Sequence, residues 1–238
     1  YTLLNELNTP DINIMTAENP VERKLAGVNQ TMVTEQTTFA LALRAFLRMD
    51  PDVILVGEIR DKETAGLSIQ ASQTGHLVLT TIHANNAVGV IGRYRQFGVD
   101  SHDIASTVLL VTAQRLIRQL CIRCRTRVRL SALEKAQFSC KSVSSALTEN
   151  DFVYAHRGCA FCNNSGYKGR VAVMEMIDID EEVRTAIMEN EKEAQIQALA
   201  TRHGFKPLHN LGLEAVARGA TDFSAIAELV ASISFSEK

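Results

Sequence analysis

The stretch DVILVGEIRD, Asp52 to Asp61, runs from apolar residues straight into Glu58, Arg60 and Asp61. Such a segment reads as a buried strand that delivers a carboxylate to a solvent-facing end. Two other predicted strands finish in the same way: INIMT leads to Glu18, and HLVLTTI leads to His83. In an open parallel sheet, ligands bind outside the carboxyl ends of the strands. Three such endings in one sheet would converge on one site, with carboxylates to serve Mg2+ or orient a water and a histidine to meet an anion. Each ending alone has a plainer reading, because a buried strand often ends in a solvated acid and a lone histidine is more often structural.

The cysteines form the second chemical group. CIRC holds Cys121 and Cys124, CAFC holds Cys159 and Cys162, and 34 residues lie between the two pairs. Two CxxC knuckles suit tetrahedral Zn2+ bound by four thiolates at about 2.3 Å. A closed shell of four cysteine thiolates leaves no open position, so the metal would be structural, and the polar block it holds would fold poorly without it. Cys140 is the odd fifth cysteine and argues against a disulfide framework. His156, close to the second knuckle, is the alternative ligand. In CIRCRTRVRL, Arg123, Arg125, Arg127 and Arg129 occupy alternate positions and would line one face of an extended segment, either as a solvated basic edge or as a docking patch for an acidic partner.

The elements that must position these groups alternate. YTLLNEL reads as the end of a helix stopped by Asn8 and Pro10, and INIM as a short strand. TTFALALRAFLRM, 37–49, is helical, halted by Asp50-Pro51, and places Arg44 and Arg48 one turn apart. VILVG is a strand, KETAGLSIQASQTG a helix closed by Gly75, and HLVLTTIH a strand. SHDIASTVLLVTAQRLIRQL reads as mostly helical, with room for a break. After the cysteine block, GRVAVMEMI returns as a strand, and helical periodicity fills the remainder. His203 and His209 flank a Gly-Pro turn there and read as solvated. Strands alternating with helices predict a parallel α/β sheet.

Composition bounds the function. The 238 residues carry 25 Lys and Arg against 27 Asp and Glu, a net charge of -2, and 46% apolar residues. The whole chain thus offers no electrostatic case for nucleic acid or an acidic membrane. No apolar run of membrane-spanning length and no signal peptide are visible. The first residue is Tyr1, so the chain reads as part of a longer protein.

Four stretches follow one another in order: TAENPVE (16–22), TFALALRAFLRMDPDVILVGEIRD (38–61), TGHLVLTTIHANNA (74–87) and AQRLIRQLC (113–121). With GCAFCNNSGYKGRVAVMEMI (158–177), they closely resemble the secretion ATPase superfamily, specifically the type II secretion and type IV pilus-assembly (extension) ATPases. The resemblance implies a RecA-like P-loop ATPase core whose parallel sheet is incomplete at its N-terminus, a tetracysteine zinc insertion and a C-terminal helical subdomain. The implied boundaries are 1–118 for the core, 119–165 for the zinc subdomain, 166–180 for a return strand and 181–238 for the helical tail. By the same resemblance, Glu18 is the acid that orients or deprotonates the attacking water. Glu58 is the Walker B acid near Mg2+, and His83 contacts the γ-phosphate, with His76 structural. Arg115 lies near the nucleotide, and Arg44 and Arg48 are paired arginines at the nucleotide or subunit interface. The implied cofactors are ATP with Mg2+, and structural Zn2+. The implied setting is a cytoplasmic homo-hexamer, peripheral at the bacterial inner membrane, working with the platform and assembly proteins of the secretion or pilus system and not with nucleic acid.

The sequence departs from the family pattern at Asn19 and Asn86, where acids are usual, which motivates a degenerate, non-hydrolysing alternative. It contains no G-x-x-x-x-G-K-[ST] phosphate loop. The expectation is therefore a chain that starts just after that loop, binds ATP weakly, does not turn it over alone, and has an unpaired sheet edge. Retraction motors normally lack the tetracysteine block, which disfavours that role. A zinc-ribbon module binding nucleic acid through its arginines is the rival from another class, disfavoured by overall acidity and by the lack of aromatic residues within the arginine stretch.

Overall fold

The computed structural model describes residues 1–131, 134 and 152–231. Cys140 lies outside them. The chain divides into two compact units: one of residues 1–84, 88–109 and 179–196, the other of residues 85–87, 110–178 and 197–238.

The first unit is built on four parallel strands, β1 (Ile14–Glu18), β2 (Asn29–Met32), β3 (Val53–Ile59) and β4 (Leu77–Ile82), in the order β2-β1-β3-β4. Val56 pairs with Ala17 on one side and Thr80 on the other, so the three strands expected to end in chemical groups are neighbours. Central parallel strands are covered on both faces and read as apolar runs rather than alternating ones. All five residues of β1 are buried, whereas β4, at the end of the strand order, is only partly covered. Helix α1 (Thr2–Leu7) packs Leu4 against Ile14, Leu25 and Val53.

Helix α2 (Phe39–Phe46) starts where the Thr38 hydroxyl accepts from the Leu41 amide at 3.2 Å, and it buries Phe39, Leu43 and Phe46. It ends earlier than the sequence suggests, which leaves Arg48 in the turn before Asp50, a residue with φ of 49°. Helix α3 (Lys62–Gln73) is capped by Asp61, whose carboxylate accepts from the Thr64 amide at 2.8 Å. One of the three charges that close DVILVGEIRD is thus a helix cap and not a ligand. Gly75, with φ of 98°, ends the helix in the left-handed conformation that suits glycine. Helices α4 (Gly89–Gln96), α5 (Ser101–Thr107) and α6 (Glu181–Met188) complete the unit. Arg95 donates to the Ile187 and Glu191 carbonyls and closes the free C-terminal end of α6.

In the second unit, β5 (Leu110–Leu120) pairs antiparallel with β8 (Tyr167–Asp178), and β6 (Thr126–Arg129) with β7 (Phe152–Ala155). Helix α7 (Glu193–Arg202) begins in the first unit and continues into this one, followed by α8 (Leu208–Ala217) and α9 (Phe223–Ala231). Two expectations need correction. The helix predicted across 101–120 stops at Thr107, and the rest is the long strand β5. Leu, Gln and Arg favour helix locally, but ten paired positions along β8 satisfy the backbone and bury Val111 and Ile117 on one face. The strand predicted at 169–177 does form, yet it pairs with β5 and not with the parallel sheet. Ile117, Val153, Val173, Leu213, Val216 and Ile226 make the core of this unit.

Candidate functional site

Glu58 lies near the end of β3, after a break in the pairing register between Val56 and Ile59. Its side chain is 14% exposed and His83, just past β4, is 86% exposed. Their closest approach is 3.5 Å, from His83 Nε2 to Glu58 Oε2, and Glu58 Oε1 takes an ion pair from Arg60. The strand ends therefore bring an acid and an imidazole together, with the imidazole directed to solvent. Gly57 permits this packing, since a Cβ there would lie 3.1 Å from the Ala17 carbonyl oxygen. The Thr81 hydroxyl donates to the Gly57 carbonyl at 2.6 Å and ties β4 to the same point.

Glu18 closes β1 and is buried. Thr16 Oγ1 donates to its Oε1 at 2.5 Å, Gln30 Nε2 to the same oxygen at 3.0 Å, and the Tyr1 hydroxyl to Oε2. Burial alone would raise its pKa, but these donors outweigh burial and hold the carboxyl below its ordinary range. The acceptor positions of Glu18 are thus already shared.

The other predicted residues separate. Arg44 forms a 2.7 Å ion pair with Glu63 in the first turn of α3, both well exposed. Arg48 is exposed in its turn. Arg115 belongs to the second unit, where it donates to the Asn85 carbonyl at 3.0 Å. His76 Nδ1 lies 2.8 Å from the Ala71 carbonyl oxygen near the end of α3.

In the second unit, the ligand atoms of Cys121, Cys124, Cys159 and Cys162 all lie within 4.8 Å of one another, and all four cysteines are free. The sulfur separations are 3.9 Å for 121–159, 3.7 Å for 124–162 and 3.7 Å for 159–162. A tetrahedron with Zn–S bonds of about 2.3 Å has edges of about 3.8 Å, so the four donors match that ion in type and spacing. Burial raises the pKa of the Cys162 thiol, but the backbone amides of Cys159 and Gly166 together with the Cys124 and Cys159 thiols outweigh it and lower that pKa, while burial raises that of Cys124. Oriented amides on sulfur stabilise a thiolate. His156 is not directed to this cluster: its Nδ1 is 2.6 Å from Asp222 and 3.0 Å from the Tyr167 hydroxyl.

Two features escaped the sequence reading. Arg60 stands in the opening motif and carries the ion pair to Glu58. The arginine stretch contains no aromatic residue, yet the fold supplies them from elsewhere: Arg125 lies over Tyr154 at 4.2 Å and Arg127 over Phe152 at 4.5 Å.

One unit of the chain is a parallel α/β sheet with an acid and a histidine at adjacent strand ends, the other carries a four-cysteine cluster, and comparison with known proteins gives the family. The model of the type II/IV secretion system protein family matches residues 1–229, and the chain belongs to this family. It is 45% identical over 229 residues to the type IV pilus assembly ATPase PilB of Acinetobacter baylyi, covering 95% of this chain and 39% of that protein. It is 43% identical over 228 residues to the putative type II secretion system protein E of Escherichia coli, covering 95% and 45%. Among solved structures, the pilus retraction motor PilT with bound ADP aligns with a TM-score of 0.57 and 25% identity over 90% of this chain and 55% of that one. The Legionella pneumophila ATPase DotB gives a TM-score of 0.63 at 21% identity over 97% and 55%, a likeness of fold. The chain thus spans about two-fifths of the length of the curated relatives it matches.

Proposed function

We propose that this chain is part of an ATP-hydrolysing motor that powers pilin or pseudopilin assembly in a type IV pilus or type II secretion system. The observation that carries the reading is the Glu58–His83 pair at adjacent parallel strand ends, in a chain that matches the family along 1–229. Glu58 would hold Mg2+ through its partly accessible carboxylate, and the ion would neutralise phosphate charge. His83, exposed beside it, would contact the terminal phosphate. Glu18 would orient the attacking water, which requires one of its acceptor positions to be released by Thr16, Gln30 or Tyr1. Arg44, Arg48 and Arg115 would serve the nucleotide or a subunit interface. Cys121, Cys124, Cys159 and Cys162 would hold one structural Zn2+, cross-linking two loops.

The reading includes a homo-hexamer at the cytoplasmic face of the inner membrane, contacting the platform and assembly proteins of its system. Among the described residues, no helix is long and apolar enough to cross a membrane. The 238 residues would not hydrolyse ATP alone, because they contain no phosphate-loop motif. The divisions 1–118, 119–165 and 181–238 are kept in this reading, with the strand of 166–180 assigned to its partner β5 and not to the parallel core. Steady-state ATP hydrolysis with Mg2+ on a version extended upstream through a phosphate loop, beside the 238-residue chain, tests the reading. Turnover in the extended protein only supports it. Absence of turnover in a folded, zinc-loaded, ring-forming extended protein would favour a degenerate family member.

A further inference from the structure

Charge is distributed unevenly in this chain. Residues 110–131 and 152–174 contain nine Arg and Lys and no Asp or Glu, whereas 132–151 between them contain two Lys and three Asp or Glu, and the whole chain is slightly acidic. Among the described residues, none of Arg123, Arg127, Arg129 or Lys168 has a carboxylate partner, and the three arginines are exposed. Four arginines of the second unit stack on rings: Arg118 on Tyr167 at 4.3 Å, Arg123 on Phe161 at 4.0 Å, and Arg125 and Arg127 on Tyr154 and Phe152. Pairing of Arg127 with Tyr154 and Arg129 with Phe152 puts Arg127, Arg129 and both rings on one face of the β6–β7 ribbon. The opposite face includes the buried Val153. Stacking limits the rotamers of a guanidinium and leaves its N–H edge free for a bidentate acceptor.

We propose that this face of β6–β7, continued by Arg123 on the first cysteine knuckle, docks an extended acidic segment of a protein partner. Charge complementarity identifies the occupant. Arginines at alternate positions of a strand recur about every 6.6 to 6.8 Å, the repeat of carboxylates at alternate positions of a second extended chain. The observations disfavour nucleic acid, because the ring faces that would stack on bases are already covered by the protein's own arginines. A membrane surface is the weaker candidate, because the single side chain of Ile122 (73% exposed) supplies little apolar area at the first knuckle, and Phe161 of the second is capped by Arg123 and approached by Lys168. Insertion into a bilayer scales with apolar area. The inference does not depend on ATP turnover.

The test uses the 238-residue chain and fluorescence anisotropy with a labelled peptide in which Glu alternates with Val. An oligonucleotide and vesicles of phosphatidylcholine with phosphatidylglycerol serve as competitors. The alternating peptide should bind, more weakly as salt rises. The double substitution R127E/R129E should weaken it roughly 10- to 100-fold with zinc content and circular dichroism unchanged. R127K/R129K, which keeps charge but loses the fork, should fall between. Failure of the peptide to bind, an unchanged affinity in R127E/R129E, or tighter binding to the oligonucleotide or vesicles would each overturn the proposal.

Discussion

Removal of Asp222 should measurably disturb the second unit. Its carboxylate is 6% exposed and receives the His156 amide at 3.1 Å, His156 Nδ1 at 2.6 Å, the Tyr167 hydroxyl at 2.9 Å and the Ala225 amide at 3.0 Å. It therefore caps α9 and anchors the chain three residues before Cys159. Burial pushes its pKa up, but the donors from His156, Tyr167 and Ala225 prevail and hold it below the ordinary Asp value. Asp222→Ala removes a helix cap, which costs about 1 kcal/mol. It also leaves part-buried donors on Tyr167 and His156 without an acceptor, at about 1–3 kcal/mol more. A loss of roughly 2–4 kcal/mol should appear in urea unfolding as a lower midpoint at constant slope. The pH dependence follows from the depressed carboxyl: the stabilisation is fully present above the unfolded Asp pKa and is lost as pH falls through the lower folded one. The variant should lack that part of the acid-side slope. A midpoint within error of the parent, or an unchanged acid slope, would refute the reasoning.

Other expectations follow from the same contacts. Ile54→Ala, at a fully buried position of β3, should cost about 2–5 kcal/mol in chemical denaturation. Gly57→Ala should cost about 1–3 kcal/mol, because the new methyl meets the Ala17 carbonyl oxygen. Metal analysis should find one zinc per chain, and Cys159→Ser should release it to a colorimetric chelator far faster than the parent does. Zinc release should rise as pH falls, since protons compete for the thiolates; a release rate independent of pH would contradict thiolate ligation.

Much of the candidate site was readable because its signals are local. An apolar run that ends in an acid or a histidine is visible in a dozen residues, and Glu58 and His83 do meet. The CxxC spacing is likewise local, and the four sulfurs gather. What escaped depends on partners far along the chain. The strand β5 looked helical because its residues favour helix, and its pairing partner starts only at Tyr167. The hydrogen bonds of Asp222 to His156 and Tyr167 span 66 and 55 residues. The alternation of arginines in β6 was visible, whereas the rings beneath them come from Phe152 onward. The engagement of Glu18 by Thr16, Gln30 and Tyr1 is likewise a property of the folded sheet.

The central claim concerns the pair at the ends of β3 and β4. Its most direct test is single-turnover ATP hydrolysis by the full-length protein with Glu58→Gln and with His83→Ala, beside the parent, with nucleotide binding measured in parallel. Both variants should stay folded and assembled. Glu58→Gln should bind nucleotide yet lose at least about 100-fold in rate, the scale of a charge-stabilising group in the reaction. A parental rate in Glu58→Gln would remove Glu58 from the mechanism and contradict the account.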